Sequence, residues 1–297
     1  MSSVASAARA ASTKVFVTGA TGTTGHATVS ALRAMGIDVI AGVHSPEKSA
    51  PPKELGAVIK QLDYADVSGM TAAMRGADRL FLVTPVTRQT EELTASIVEA
   101  AKAAGISHVA KLSGLDVDVE PGFTLGHWHR SAEKVIEASG LDWTFLRANA
   151  FMQNFFGSAD SIKASGTYFS PFGSTPISFI DARDIGEVAA KVLATQGHAG
   201  KIYNLTGPKG VANVEVAQIL TKVSGKTVTC TNISVEQLRQ ALLGYGMPDA
   251  EASATAELLG IIATGTAAYT TSDVERLLGR PPRDFAQFAS DFSAVFR

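Results

Sequence analysis

His129 and Glu133 are the residues with which this chain could move protons. They stand four apart, so on a helix they share one face. His129 could donate a proton or contact a polar substrate while Glu133 holds its ring. A structural histidine in an ion pair would carry the same spacing. Ser113 lies in Leu112-Ser113-Gly114, without the G-x-S-x-G elbow of a hydrolase nucleophile. Reduction of a carbonyl by hydride needs a proton donor, and a Tyr with Lys four residues later is a common solution. Four residues after Tyr64, Tyr168, Tyr203, Tyr245 and Tyr269 come Ser68, Phe172, Gly207, Asp249 and Asp273, and none is Lys. That absence counts against an ordinary alcohol dehydrogenase or sugar epimerase. A metal site at His127-x-His129 has no further ligand pattern behind it. Cys230 is the only cysteine, which excludes an internal disulfide and fits a reducing cytoplasm. It reads as an inert strand residue.

The second chemical signal is Val15-Phe16-Val17-Thr18-Gly19-Ala20-Thr21-Gly22-Thr23-Thr24-Gly25. A β-type run feeds three glycines spaced three apart, and a helical pattern follows at once. Gly19 permits the sharp turn, and a loop without side chains lets backbone N–H groups approach a pyrophosphate at the helix N-terminus. Gly19, Thr21, Gly22, Thr23, Thr24 and Gly25 are thus expected to cradle a dinucleotide. A purely structural turn would show the same glycines. No Gly-Lys-Ser/Thr follows, so a P-loop is not indicated.

These residues need elements to hold them. Strand patterns cover 15–17, 38–43, 58–62, 79–83, 108–112 and 143–146, with helical patterns near 24–34, 46–55, 66–74, 89–104 and 128–139. Gly36, Gly76, Gly105 and Gly140 sit just past four of the helices, where helices stop. Such alternation implies right-handed βαβ units and a parallel sheet. The expected fold is α/β: a Rossmann-type doubly wound parallel sheet with helices on both faces, plus a smaller α+β C-terminal lobe. A disordered tail is expected over 1–13, a dinucleotide-binding core over 14–150 and a substrate-binding lobe over 151–297, with some segments returning to the core. Ligands bind beyond the C-terminal ends of such strands. Gly19, His44, Asp63, Thr84, Ser113 and the segment after Arg147 occupy that edge.

NAD-selective sites place an acid at the end of the second strand, to bond the ribose 2′-hydroxyl. Here that end reads Gly42-Val43-His44-Ser45-Pro46-Glu47-Lys48, with no acid in place. His44, Ser45 and Lys48 could receive a 2′-phosphate, which favours NADP(H) and leaves NAD(H) open. Asp63 could bond the adenine amino group or cap the next turn. Thr84, Pro85 and Lys111 are assigned to the cofactor with them. Seven of the fourteen phenylalanines fall within 145–179. They are either ordinary lobe core or, in part, the wall of an apolar pocket for a flat substrate. Helical patterns recur at 211–223, 235–243 and 249–262, and an amphipathic one closes the chain at 283–296. With 26 basic and 28 acidic residues among 297, the chain has a formal charge of −2. That gives no electrostatic case for nucleic acid or an anionic membrane. No apolar run is long enough to span a bilayer, and the first dozen residues lack the apolar core of a secretion signal.

The glycine loop, Lys111-Leu112-Ser113-Gly114, His129-x-x-x-Glu133, Ser139 through Arg147, Phe151-Met152-Gln153-Asn154 and Gly279-Arg280-Pro281-Pro282 carry a resemblance. The chain resembles the NmrA-like atypical short-chain dehydrogenase/reductases, in particular the bacterial NAD(P)H-dependent quinone oxidoreductase type, from Lys14 almost to the C-terminus. The resemblance implies a Rossmann core and a small lobe with the site between them. His129 falls where related plant benzylic-ether reductases carry an active-site Lys, and Ser113 where Tyr-dependent relatives keep a catalytic Ser. Val43-His44-Ser45 looks like the NmrA regulator, and Ala148 replaces the usual Pro. The expected activity is transfer of hydride to quinones or similar flat aromatic acceptors by a cytoplasmic monomer or homodimer. Ser113 and His129 would orient the acceptor oxygen with Glu133 in support, while Phe151, Asn154, Phe155 and Phe156 bind its ring. The alternative is a redox sensor that binds the dinucleotide without turnover.

Overall fold

The computed structural model describes residues 13–297. The tail expected over 1–13 lies, apart from Thr13, outside the described residues. Strands β1 (Lys14–Val17), β2 (Asp38–Val43), β3 (Val58–Gln61), β4 (Arg79–Leu82), β5 (His108–Gly114) and β6 (Asp142–Ala148) alternate with helices. The helices are α1 (Thr23–Ala34), α2 (Ala50–Glu54), α3 (Val67–Met74), α4 (Thr90–Ala104) and α5 (Thr124–Ala138). After β6 come α6 (Ala159–Ser165), β7 (Thr167–Ser170), α7 (Ala182–Ala194), β8 (Lys201–Leu205), α8 (Asn213–Ser224) and β9 (Thr229–Asn232). The chain ends with α9 (Val235–Gly244), α10 (Asp249–Ile261), α11 (Asp273–Leu278), α12 (Phe285–Asp291) and α13 (Ser293–Phe296).

Seven parallel strands form one sheet in the order β3-β2-β1-β4-β5-β6-β8. Side chains alternate across it. Val15 and Val17 face a core built with α1 and α7, whereas Phe16 faces a second core with Met70, Ile97 and Ile136 of α3, α4 and α5. Helices therefore cover both faces, as a doubly wound sheet requires. β7 and β9 form a separate parallel pair. Around that pair a third core gathers Phe155, Tyr168, Phe179, Phe285, Phe288 and Phe296.

Most expected elements stand where the patterns put them. Three differ. The helix expected over 46–55 is a single turn at Pro46–Lys48 followed by α2. Pro51 and Pro52 lack an N–H donor and fit only the first turn of a helix, so they start α2 afresh. The closing helix is shorter and split, because Asp284 caps α12 through Gln287 N and the chain leaves helical geometry at Phe292. Helix α7 and strand β8 had no expected counterpart, yet both belong to the core. Nine of the thirteen residues of α7 are buried. A Cβ on Gly186 would lie 2.5 Å from the Ala27 carbonyl carbon, so only glycine lets α7 press this closely on α1. Helix α11 also packs back on α7 and β8, with Asp273 accepting from Asn204 N at 2.7 Å. No helix among the described residues is long and apolar enough to cross a membrane.

Candidate active site at the sheet edge

The glycine loop has the form the spacing implies. Gly19 adopts φ +58°, a left-handed value that disfavours side chains. A Cβ on Gly25 would lie 2.1 Å from Gly19 O, well inside any non-bonded contact, so the helix can abut the turn only as glycine. Thr18 fixes the turn to the neighbouring strand end: its Oγ1 donates to Val83 O and accepts from Val83 N, both at 2.8 Å. Thr21, Gly22 and Thr23 are exposed, while Thr24 and Gly25 are buried beneath them. Gly22 is the N-cap of α1 and has no side chain to satisfy the first N–H groups. They remain available to an anion.

Just past β2 His44 is exposed, with Nδ1 3.3 Å from Leu62 O, and its ring lies parallel to that of Tyr64 at 6.3 Å. Ser45 and the exposed Lys48 close a short turn through Lys48 N to Ser45 O. Asp63 Oδ1 accepts from Ala65 N at 2.9 Å, the turn-capping role. Thr84 and Pro85 follow β4, where Pro85 O accepts from Thr90 Oγ1 at 3.3 Å.

Further along the sheet, β5 and α5 meet side chain to side chain. Alternate strand residues and helix residues four apart both step about 6 Å, so the two rows register. Ser113 reaches Glu133 and Lys111 reaches His129. Glu133 is fully buried and accepts from Ser113 Oγ at 2.7 Å, from Arg147 Nε at 3.1 Å and Nη2 at 2.8 Å, and from Arg130 Nη1 at 3.2 Å. Arg147, on β6, also bonds Asp118 at 2.7 Å. Burial works against the Arg147 cation, but Glu133 and Asp118 outweigh it and raise its pKa. Glu133 therefore anchors Ser113 and Arg147 and does not hold the imidazole, as the i,i+4 spacing suggested. The partner of His129 Nδ1 is Lys111 Nζ at 3.1 Å, which also donates to Leu112 O at 2.9 Å.

Lys111 is 1% exposed. Burial pushes its pKa down to about 8; Glu133 opposes that shift and Arg147 adds to it. Burial and then the Lys111 charge hold His129 well below its usual value, so the ring is neutral. His129 is half-buried, and its Nε2 has no partner among the described residues and is not sealed from solvent. A Cβ on Gly114 would lie 3.3 Å from His129 Cδ2, so Gly114 leaves the ring its place.

The aromatic residues divide. Phe155 is buried among Tyr168, Phe179 and Phe285, the ordinary core packing that the sequence left open. Phe156 packs on Phe288 and Phe292 and lines a groove of about 1000 Å³ between α1 and α7. That groove touches Thr21 to Thr23 but lies on the sheet face opposite α5 and His129. Phe151 is half-buried and bridges Ile180 through its backbone; the side chain of Asn154 is exposed. Sequence reasoning missed Tyr269, whose hydroxyl donates to Asp116 Oδ1 at 2.7 Å. Asp116 adopts φ +57° just beyond β5. Nothing local in the sequence joins residues 153 positions apart. The Lys111–His129 contact likewise depends on the register between β5 and α5.

A doubly wound sheet with an uncapped glycine loop and a lobe beyond its strand ends defines a dinucleotide-binding Rossmann protein. The NmrA-like family model matches residues 11–285, and the chain belongs to that family. It is 33% identical to an NAD(P)H azoreductase of Xenophilus azovorans over 282 residues, covering 95% of this chain and 99% of that one. It is 30% identical to quinone oxidoreductase 2 of Escherichia coli, covering 93% and 97%. The crystal structure of that quinone oxidoreductase complexed with NADPH superposes with a TM-score of 0.82, covering 94% of this chain and 99% of that one. Triphenylmethane reductase of Citrobacter sp. complexed with NADP(H) gives 0.80 at 28% identity, with the same coverage.

Proposed function

We propose that this protein is an NADP(H)-dependent oxidoreductase that reduces quinones or similar flat aromatic acceptors. The observation that carries the reading is the glycine cradle: Gly25 admits no Cβ, and the N–H groups of α1 are left to an anion. Chain-long likeness to azo- and quinone-reducing relatives supports the choice of acceptor. Thr21, Gly22 and Thr23 would hold the pyrophosphate through their backbone, with His44, Ser45 and Lys48 at the 2′-phosphate end. Thr84 and Pro85 border the place for the nicotinamide. The bound dinucleotide, once reduced, supplies a hydride.

The chain's own residues do the rest. His129 presents Nε2 to the acceptor oxygen. Ser113 acts from behind, by fixing Glu133 and hence the β5–α5 contact. Phe151 borders the cleft at the end of β6. The loss of a Tyr-Lys pair is tolerable because a quinone is electron-poor and its reduced oxygens can take protons from water.

The test is loss of the reduced nicotinamide absorbance with a panel of quinones, run beside a direct measurement of NADPH and NADH affinity. Turnover with tighter NADPH binding is expected. Cofactor binding without turnover on any quinone, azo or aromatic carbonyl compound would overturn the reductase in favour of a redox sensor.

A further inference from the structure

We propose that Lys111 and His129 form a proton relay that delivers a proton to the acceptor as hydride arrives, fitting the site to acceptors that need an acid as well as to quinones. The proposal rests on the reductase reading above. The geometry carries it. A lysine ammonium has donors only, so a Lys111 Nζ 3.1 Å from His129 Nδ1 makes that nitrogen an acceptor. The neutral ring must then bear its proton on Nε2, the nitrogen that has no protein partner among the described residues and is not sealed from solvent. The imidazole is thus a donor toward substrate and an acceptor toward a charged group held inside the sheet.

The step balances. Hydride from the reduced nicotinamide dinucleotide adds to the acceptor carbon, and the C=O pair moves to oxygen. The oxygen takes the Nε2 proton and Nδ1 takes one proton from Lys111, leaving a neutral amine; after product leaves, water returns a proton to Nε2 and Nδ1 gives its proton back to the buried Lys111. The acceptor gains two electrons and two hydrogens, and the dinucleotide is oxidised. A low pKa suits Lys111 to this duty, because an amine that ionises near neutrality gives up and regains a proton readily. Glu133 from α5 and Arg147 from β6 are the charged groups that bear on Lys111 from its neighbours, and Arg130 and Asp118 complete their pairing. Lys111 itself bears on His129. The substrate class this adds is aromatic carbonyl compounds, whose reduced oxygen is far more basic than a hydroquinone's.

Two measurements on the full chain test the relay. The first is the nitrogen NMR of His129 without cofactor, in the wild type and in Lys111→Met, which keeps the length and apolar stem of the side chain. A neutral ring protonated at Nε2 is expected in the wild type, and loss of that fixed tautomer in Lys111→Met. A ring protonated at Nδ1, or a cation at neutral pH, overturns the relay whether or not the protein turns over. The second is the pH profile of kcat on an aromatic carbonyl acceptor. Wild-type kcat should fall as pH rises through about 8, where Lys111 loses its proton, and Lys111→Met should lack that limb. His129→Asn should lose at least about 100-fold more kcat on the aromatic carbonyl than on a quinone, with KM little moved. Equal losses on both acceptors, or an unchanged limb in Lys111→Met, would make the pair structural. Failure of the wild type on every acceptor would count against the reductase alone, because the tautomer is read independently.

Discussion

Glu133→Gln should cost about 3 kcal/mol of stability, the low end for breaking a buried ion pair. The value follows from the donors around it. Oε1 serves Ser113 Oγ and Arg147 Nε, and Oε2 serves Arg147 Nη2 and Arg130 Nη1. A glutamine has one oxygen and one NH2. If the NH2 takes the Oε2 place, it faces two guanidinium donors and satisfies neither. If it takes the Oε1 place, the Ser113 hydroxyl can turn to accept, but Arg147 Nε is stranded. The second arrangement loses one charge-assisted bond, worth about 1.5–3 kcal/mol, together with the charge opposite a buried guanidinium. Arg147 keeps Asp118, which holds the cost near the bottom of the range. Equilibrium urea unfolding of wild type and variant measures the difference. A loss below about 1 kcal/mol would mean that the cluster is surface-like and the reasoning is wrong.

Gly25→Ala should abolish measurable dinucleotide binding while leaving the fold, because a methyl 2.1 Å from Gly19 O must displace the turn; affinity within about tenfold of wild type would refute the cradle. Lys48→Ala should lower the preference for NADPH over NADH by up to about fivefold, as expected for an exposed charge, and an unchanged ratio would remove Lys48 from the 2′-phosphate. Asp181 is buried and bonded to Arg183 and Gln153, which outweigh the burial that would raise its pKa and hold it below 3.8. Its contribution is present above that value and lost as pH falls through the lower folded one, so Asp181→Asn should flatten the acid limb of stability below about pH 4. Parallel wild-type and variant acid limbs would refute this. Tyr269→Phe should cost about 1 kcal/mol by thermal unfolding, through the lost bond to Asp116, and no change would show that bond to be solvent-replaceable.

The core was legible wherever one local pattern sufficed. Val15 to Gly25 encodes a strand, a turn and a helix within a few residues, and the structure has all three. Helix α7 was legible too, since Ile185, Val188, Ala189 and Val192 follow the 3.6-residue rhythm behind an Asp181 cap. The site was harder. The i,i+4 pairing of His129 with Glu133 is a correct helix geometry with the wrong conclusion, because both side chains turn toward β5 rather than toward each other. Only a register between two elements shows that. Tyr269 with Asp116 depends on tertiary placement, for which one sequence holds no periodic trace.

The path of the chain has a mechanical consequence. It leaves the sheet after β6 for Phe155 and Tyr168, returns to lay down α7 and β8, departs again to α8, and touches back with α11. Two bodies stitched together at several places cannot swing apart about a single linker. Cutting the chain near residue 150 would strip the sheet of its edge strand and of the helix that covers α1. Neither half is a removable cassette, and grafting a foreign lobe onto this core would have to respect every seam.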